Sequence, residues 1–261
     1  MTLMTGLNSC AAPDAGGTGP SNPTLLMDPS ASPEAPTSSP ATGIPSDSTK
    51  RILKGYVPDY QIPPVQNGLA PVITRIATKH PVVFLTIDDG ITKKPEMAAL
   101  MDRFDYPASL FLTRDFIQND PGFFKGLQAQ GSLIENHTTS HNVNMTTQFS
   151  YARQLAEITA MQDYALQQYG RRPTLFRPPG GTYSNVMRKA VADAGLKAII
   201  TWEAKANAGH MDYQTGHSLR PGDIVLMHFR PEFATDLAAF RQAQLDAGLE
   251  VVLLENFLGA T

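Results

Sequence analysis

Cysteine is nearly missing from this chain: Cys10 is the single one in 261 residues. An internal disulfide is therefore excluded, and so is a zinc site built from several thiolates. Any metal has to be held by histidine and carboxylate. No apolar run reaches the roughly eighteen residues that a transmembrane helix needs. Charge of one sign is scarce as well. Lys plus Arg number 21 against 24 Asp plus Glu, a net charge of -3 that gives no reason to expect a nucleic-acid partner. The 42% of hydrophobic residues and 8% of aromatics suffice for one domain with a sizeable core, plus a tail.

The tail is marked by a second absence. Residues 1–50 contain no Phe, Trp or Tyr, yet hold 8 of the 21 prolines. Runs such as Ser30-Ala31-Ser32-Pro33 cannot bury a core and read as a disordered tether, partly extended by its prolines. Leu7-Asn8-Ser9-Cys10 resembles the lipobox of bacterial lipoproteins, which implies an acylated Cys10 and a membrane anchor at a bacterial cell surface. The segment before it lacks a charged and apolar leader, so the alternative is a chance cysteine in a tail. Residues 51–78, with Pro58, Pro63, Pro64 and Pro71, read as an extended arm, and residues 79–261 as the domain.

From residue 82 short apolar runs alternate with helical patterns. Strands are expected at 82–87, 109–112, 133–135, 174–176, 198–201, 224–227 and 251–254. Helices are expected at about 95–104, 121–130, 148–169, 184–194 and 235–247. In the longest, Leu155, Ile158, Met161, Ala165 and Tyr169 recur at helical spacing and Gly170 ends it. Alternation of this kind implies parallel pairing. The fold class is thus α/β, a distorted barrel of about seven parallel strands, one short of the usual eight.

The chemistry-bearing residues cluster on this map. Asp88-Asp89-Gly90 follows the first strand, and His137 and His141 follow the third. Arg177-Pro178-Pro179-Gly180-Gly181 follows the fourth, Trp202 the fifth and His228 the sixth. In a parallel barrel the C-terminal strand ends share one face, where active sites sit. Each group alone has a plainer reading. Asp-Asp-Gly is an ordinary turn, paired histidines occur by chance in loops, Arg177 could be structural, and Trp202 and His228 could be core residues. His80, His210 and His217 lack partners by sequence. The shared strand-end position favours function. Two histidines four apart plus one aspartate make a ligand set for catalytic zinc with an open position, and suit non-haem iron equally.

In order, Thr86-Ile87-Asp88-Asp89-Gly90, His137-Thr138-Thr139-Ser140-His141, Arg177-Pro178-Pro179-Gly180 and Leu226-Met227-His228 resemble the signature motifs of the polysaccharide deacetylase family, the NodB-type carbohydrate esterases. The resemblance spans roughly residues 72–258. It implies a distorted barrel and a general base at Asp88. Asp89, His137 and His141 would hold one divalent ion, zinc or cobalt. Arg177 would orient the base, and the Gly180 N–H would meet the oxyanion. Leu226 would line the acetyl pocket, and His228 would be the general acid; Trp202, from its strand-end position alone, is read as a wall of the site.

Two departures stand out. Gly180 replaces a residue that is usually Tyr. The aspartate that supports the acid histidine is absent from Thr201-Trp202-Glu203-Ala204-Lys205-Ala206, leaving Glu203 or Asp212 as substitutes. The implied activity is metal-assisted removal of acetyl groups from N-acetylated sugars of a cell-wall or chitin-like polysaccharide, by a monomer. The alternatives are an O-acetyl ester hydrolase of the xylan type and a catalytically idle wall-binding protein.

Overall fold

A computed structural model describes residues 54–261, so the expected tether and Cys10 lie outside the described residues. The strands are β1 (Val72–Ile73), β2 (Val82–Asp89), β3 (Ser109–Leu112), β4 (Leu133–Asn136), β5 (Leu175–Phe176), β6 (Ala198–Ile200), β7 (Ala204–Asn207), β8 (His210–Tyr213), β9 (Ile224–His228) and β10 (Glu250–Val251). The helices are α1 (Pro95–Phe104), α2 (Arg114–Ile117), α3 (Pro121–Ala129), α4 (Met145–Gln148), α5 (Tyr151–Tyr169), α6 (Asn185–Asp193), α7 (Phe233–Asp246) and α8 (Leu254–Leu258).

The sheet runs β1-β6-β5-β4-β3-β2-β9-β7-β8, with β10 beside β2. Its first seven strands pair in parallel throughout. The chain just beyond β1 returns to the start of β9: Arg75 bridges Asp223, and the Ile76 N–H donates to Gly222 O at 2.8 Å. The wall is thus a distorted α/β barrel of seven parallel strands.

Alternation along β2 shows how the wall works. Val83, Leu85 and Ile87 join Met97, Met101, Phe124 and Phe240 under the outer helices. Phe84 joins Phe111, Leu175, Ile200 and Ile224, which come from strands all round the ring and therefore fill its interior. Each such burial stabilises by about 1.5–3 kcal/mol. Thr86 and Asp88 share the parity of Phe84, so the strand itself aims Asp88 inward.

Four expectations change. The segment 51–78 is more than an arm: it supplies β1, and Tyr56, Tyr60 and Ile62 pack on the interior cluster. The helix expected over 148–169 is α5 and starts three residues later, at Tyr151, while Gln148 ends α4. Phe149 is extended, and Ser150 caps α5 by accepting from the Arg153 N–H. The final strand stops at Val251, and Leu254 opens α8 instead. The segment 204–213, where no strand or helix was expected, is the antiparallel hairpin β7–β8. Polar residues at Lys205, Asn207 and Asp212 hid its strands from an apolar-run search.

Candidate active site

Asp88 and Asp89 are consecutive, yet both reach the same face. On a regular strand they would point apart. Asp89 has φ 75°, a left-handed conformation for a residue other than glycine, and this reverses its direction. Gly90 follows at φ 86°, and a side chain there would sit 2.4 Å from Ile117. The turn anticipated at Gly90 therefore starts one residue earlier.

Three side chains converge. The Asp89 Oδ1 lies 3.5 Å from His137 Nε2 and 3.1 Å from His141 Nε2. One ligand atom from each of the three falls within 4.8 Å of the others. Ligand atoms about 2.0–2.1 Å from a tetrahedral zinc lie roughly 3.3 Å apart, so these separations suit a shared ion. The buried Asp89 Oδ1 has no hydrogen-bond partner among the described residues, as a ligand oxygen awaiting a cation would not. His137 Nδ1 lies 2.7 Å from Arg177 O. Donation to that carbonyl fixes the tautomer that leaves Nε2 free to bind a metal. Burial alone would lower the pKa of His137, but the charges of Asp88 and Asp89 outweigh it and raise it. Asp89 is held well below the usual carboxylate range: burial opposes this, and the close approach of the His137 and His141 rings prevails.

Asp88, 3% exposed, takes a different position. Its Oδ1 accepts from Arg177 Nη1 at 2.7 Å, and its Oδ2 faces His137 Nε2 at 3.7 Å. One carboxylate oxygen is thus occupied and the other is aimed at the candidate metal position. Arg177 is fully buried and spends its donors on Asp88, Thr86 Oγ1, Ile200 O and Thr201 O. Its guanidinium lies 4.3 Å from the Phe111 ring centre. Thr86 completes the brace by donating to Val225 O at 2.7 Å.

The glycine loop is a 3₁₀ turn, Pro179–Gly181, with φ 66° at Gly180 and 75° at Gly181. A side chain at Gly180 would touch Val143 at 3.4 Å, so Val143 borders the space that a larger residue would fill. A side chain at Gly181 would meet the Trp202 ring at 2.6 Å, which puts Trp202 against the loop. Leu226 and His228 share one parity on β9, and His228 is the register partner of Asp88 on the neighbouring strand. Burial lowers the pKa of His228, against the opposing charges of Asp88 and Asp89. Its buried Nδ1 has no hydrogen-bond partner among the described residues. Neither substitute for the missing aspartate supports it. Glu203 pairs with Arg220 at 2.6 Å, and Asp212 pairs with Lys205 and His210, each at 3.4 Å.

Sequence reading missed the residues that brace this site. Thr86, Glu157 and Asn136 each hold a motif residue or its loop. Thr86 carried a signal, since it shares the strand parity of Asp88. Glu157 carried none, because nothing in an exposed helix pattern marks what its carboxylate grips.

A family model described as polysaccharide deacetylase matches residues 75–199. The chain is 37% identical over 196 residues to an uncharacterized protein of Streptomyces coelicolor, covering 73% of this chain and 78% of that protein. It is 26% identical over 172 residues to a peptidoglycan-N-acetylglucosamine deacetylase of Bacillus cereus, covering 60% of this chain and 76% of that one. A CE4 family pseudoenzyme from Bacillus anthracis shares the fold with a TM-score of 0.63 at 20% identity, over 74% of this chain and 70% of that one.

Proposed function

Since this chain belongs to the polysaccharide deacetylase family, we propose that it hydrolyses the acetamide of N-acetylated sugars in a cell-wall or chitin-like polysaccharide, using one divalent ion, zinc by preference, held by Asp89, His137 and His141. The carrying observation is the split between the two carboxylates: Asp89 lies between the histidines, while Asp88 turns one oxygen to Arg177 and the other to the same space. A bound divalent ion supplies Lewis acidity and lowers the pKa of water there.

The Asp88 Oδ2 takes the proton of the attacking water. Arg177 fixes the orientation of that carboxylate through Oδ1. The Gly180 N–H meets the developing oxyanion. Leu226 and Trp202 bound the acetyl group, and His228 protonates the departing amine. What speaks against a catalytically idle protein is that Asp88, Arg177 and the Asp89, His137 and His141 side chains converge on one space.

The test is acetate release from chitin oligomers, peptidoglycan and acetylated xylan, with zinc content measured alongside. The protein should carry about one zinc per chain and act on an N-acetylated polymer. His137→Ala should lose both zinc and turnover. Full zinc occupancy in that variant would place the ion elsewhere, and release from xylan alone would favour the O-acetyl esterase.

A further inference from the structure

The loop between the two histidines is held in an unfavourable shape. Thr138 has φ 71° and His141 φ 55°, and Thr138 is β-branched, the residue type least tolerant of that region. Such a loop persists only when its surroundings over-determine it. Part of that determination is local. The Thr138 N–H donates to Asn136 Oδ1 at 2.9 Å, and the His141 N–H to Thr138 Oγ1 at 3.1 Å. The carbonyls of Thr138 and Thr139 accept from the N–H groups of Arg114 and Asp115 at 3.2 and 3.1 Å. These bonds leave over the donors of the loop's middle, the Thr139 hydroxyl and the N–H and hydroxyl of Ser140.

One atom collects all three. Glu157 Oε2, projecting from α5, accepts from Thr139 Oγ1, from the Ser140 N–H at 3.0 Å and from Ser140 Oγ at 2.9 Å. Among the described residues Glu157 forms no ion pair, so its charge is directed at this loop. The helix that carries it is anchored by buried Ile158 and Met161, and Ile158 O accepts from Asn136 Nδ2 at 2.8 Å, tying the same turn of helix to the start of the loop. Charge-assisted bonds of this kind are about twice as strong as neutral ones.

We propose that Glu157 is a positioning residue for the metal site, whose carboxylate draws in Thr139 and Ser140 and so sets the separation of His137 and His141 around Asp89. The proposal rests on the metal reading above. Groups that orient ligands from outside the coordination sphere typically contribute about 10–100-fold in metal affinity.

The experiment titrates zinc alone against the full chain by chelator competition, and follows amide hydrogen exchange across residues 137–143 without metal. Glu157→Ala should weaken zinc binding about tenfold or more and speed exchange at Ser140. Glu157→Gln should recover much of the affinity, because an amide oxygen still accepts. Thr139→Val, which removes one of the three donors, should produce a smaller loss. A zinc Kd within about twofold of the parent in Glu157→Ala would overturn the proposal. So would weakened binding that Glu157→Gln does not recover, since Glu157 would then only brace the fold. If Glu157→Ala does not fold, the same zinc titration of Thr139→Val decides, and parent-like affinity there overturns the proposal. Should the parent bind no zinc, the metal reading fails by itself, and unchanged Ser140 exchange in the variants would overturn the positioning role separately.

Discussion

At the C-terminal ends of the barrel strands, buried Asp88 faces buried Arg177 at 2.7 Å, one charge of each sign. Deeper in the barrel, where α8 packs on the interior cluster, Glu135 and Glu255 are both fully buried, and Arg171 pairs with Glu135. Arg171 donates to Glu135 at 2.8 Å, and the N–H groups of Thr174 and Leu175 add two more bonds to that carboxylate. Glu255 receives one hydrogen bond, from Ser109 Oγ at 2.8 Å, and its Oε1 has no partner among the described residues. Burial raises the pKa of a carboxyl and a countercharge opposes it; at Glu135 burial outweighs Arg171 and the pKa is raised. Burial therefore pushes Glu255 up to about 8, reinforced by the charge of Glu135. One barrel thus pairs a carboxylate with an arginine where a base is wanted and buries a carboxyl without an ion pair where α8 packs on its interior.

The largest effect should follow from breaking the pair of Asp88 and Arg177. Asp88→Asn keeps an oxygen for Arg177 but cannot take a proton. Turnover should fall at least about 100-fold while zinc content stays unchanged, measured by acetate release and metal analysis on the same sample. If Asp88→Asn lost as much zinc as Asp89→Asn, the roles of the two carboxylates would have to be exchanged.

How much of this contrast the sequence displayed depends on backbone regularity. Asp88, His137, Arg177 and His228 were legible because each stands at the end of an apolar strand, and strand ends of a parallel barrel meet on one face. The two-residue strand β1 and the polar hairpin β7–β8 were not, since neither offers an apolar run. Nor was the reversal at Asp89, a left-handed residue that no propensity marks. Glu135 could have been suspected: a carboxylate inside Leu133-Ile134-Glu135-Asn136 needs a buried partner. Its companion Glu255 lies just past the run read as a strand over 251–254, in a helix that no pattern marked, so their proximity was invisible.

A smaller effect concerns His228, the strand-end histidine without a supporting carboxylate. Burial lowers its pKa, so less of it carries the proton near neutrality. An amine must be protonated to leave, whereas the alkoxide from an ester leaves more readily unaided. His228→Ala should therefore slow release from a chitin oligomer by about tenfold or more, and release from an O-acetylated sugar by clearly less. Equal rates for parent and variant on both substrates would return His228 to the core.

The smallest effect belongs to the carboxyl without an ion pair and touches stability alone. The Glu255 carboxyl titrates at 4.5 in the unfolded chain and at about 8 in the fold. The folded state thus binds the proton more tightly. Its contribution to stability is fully present below pH 4.5 and is lost as pH rises through about 8. Within that window the slope approaches about 1.4 kcal/mol per pH unit. Glu255→Gln carries no titrating proton there but keeps an oxygen for Ser109 Oγ. The parent should lose stability to urea from pH 5 towards pH 8, and Glu255→Gln should lose much less, with the two denaturation midpoints drawing apart as pH rises. Activity at pH 7 should match the parent, because the substitution sits among the interior residues and not at the metal face. Parallel pH profiles for the two proteins would mean that Glu255 is ionised in the fold, and the contrast between the two buried carboxyls would disappear.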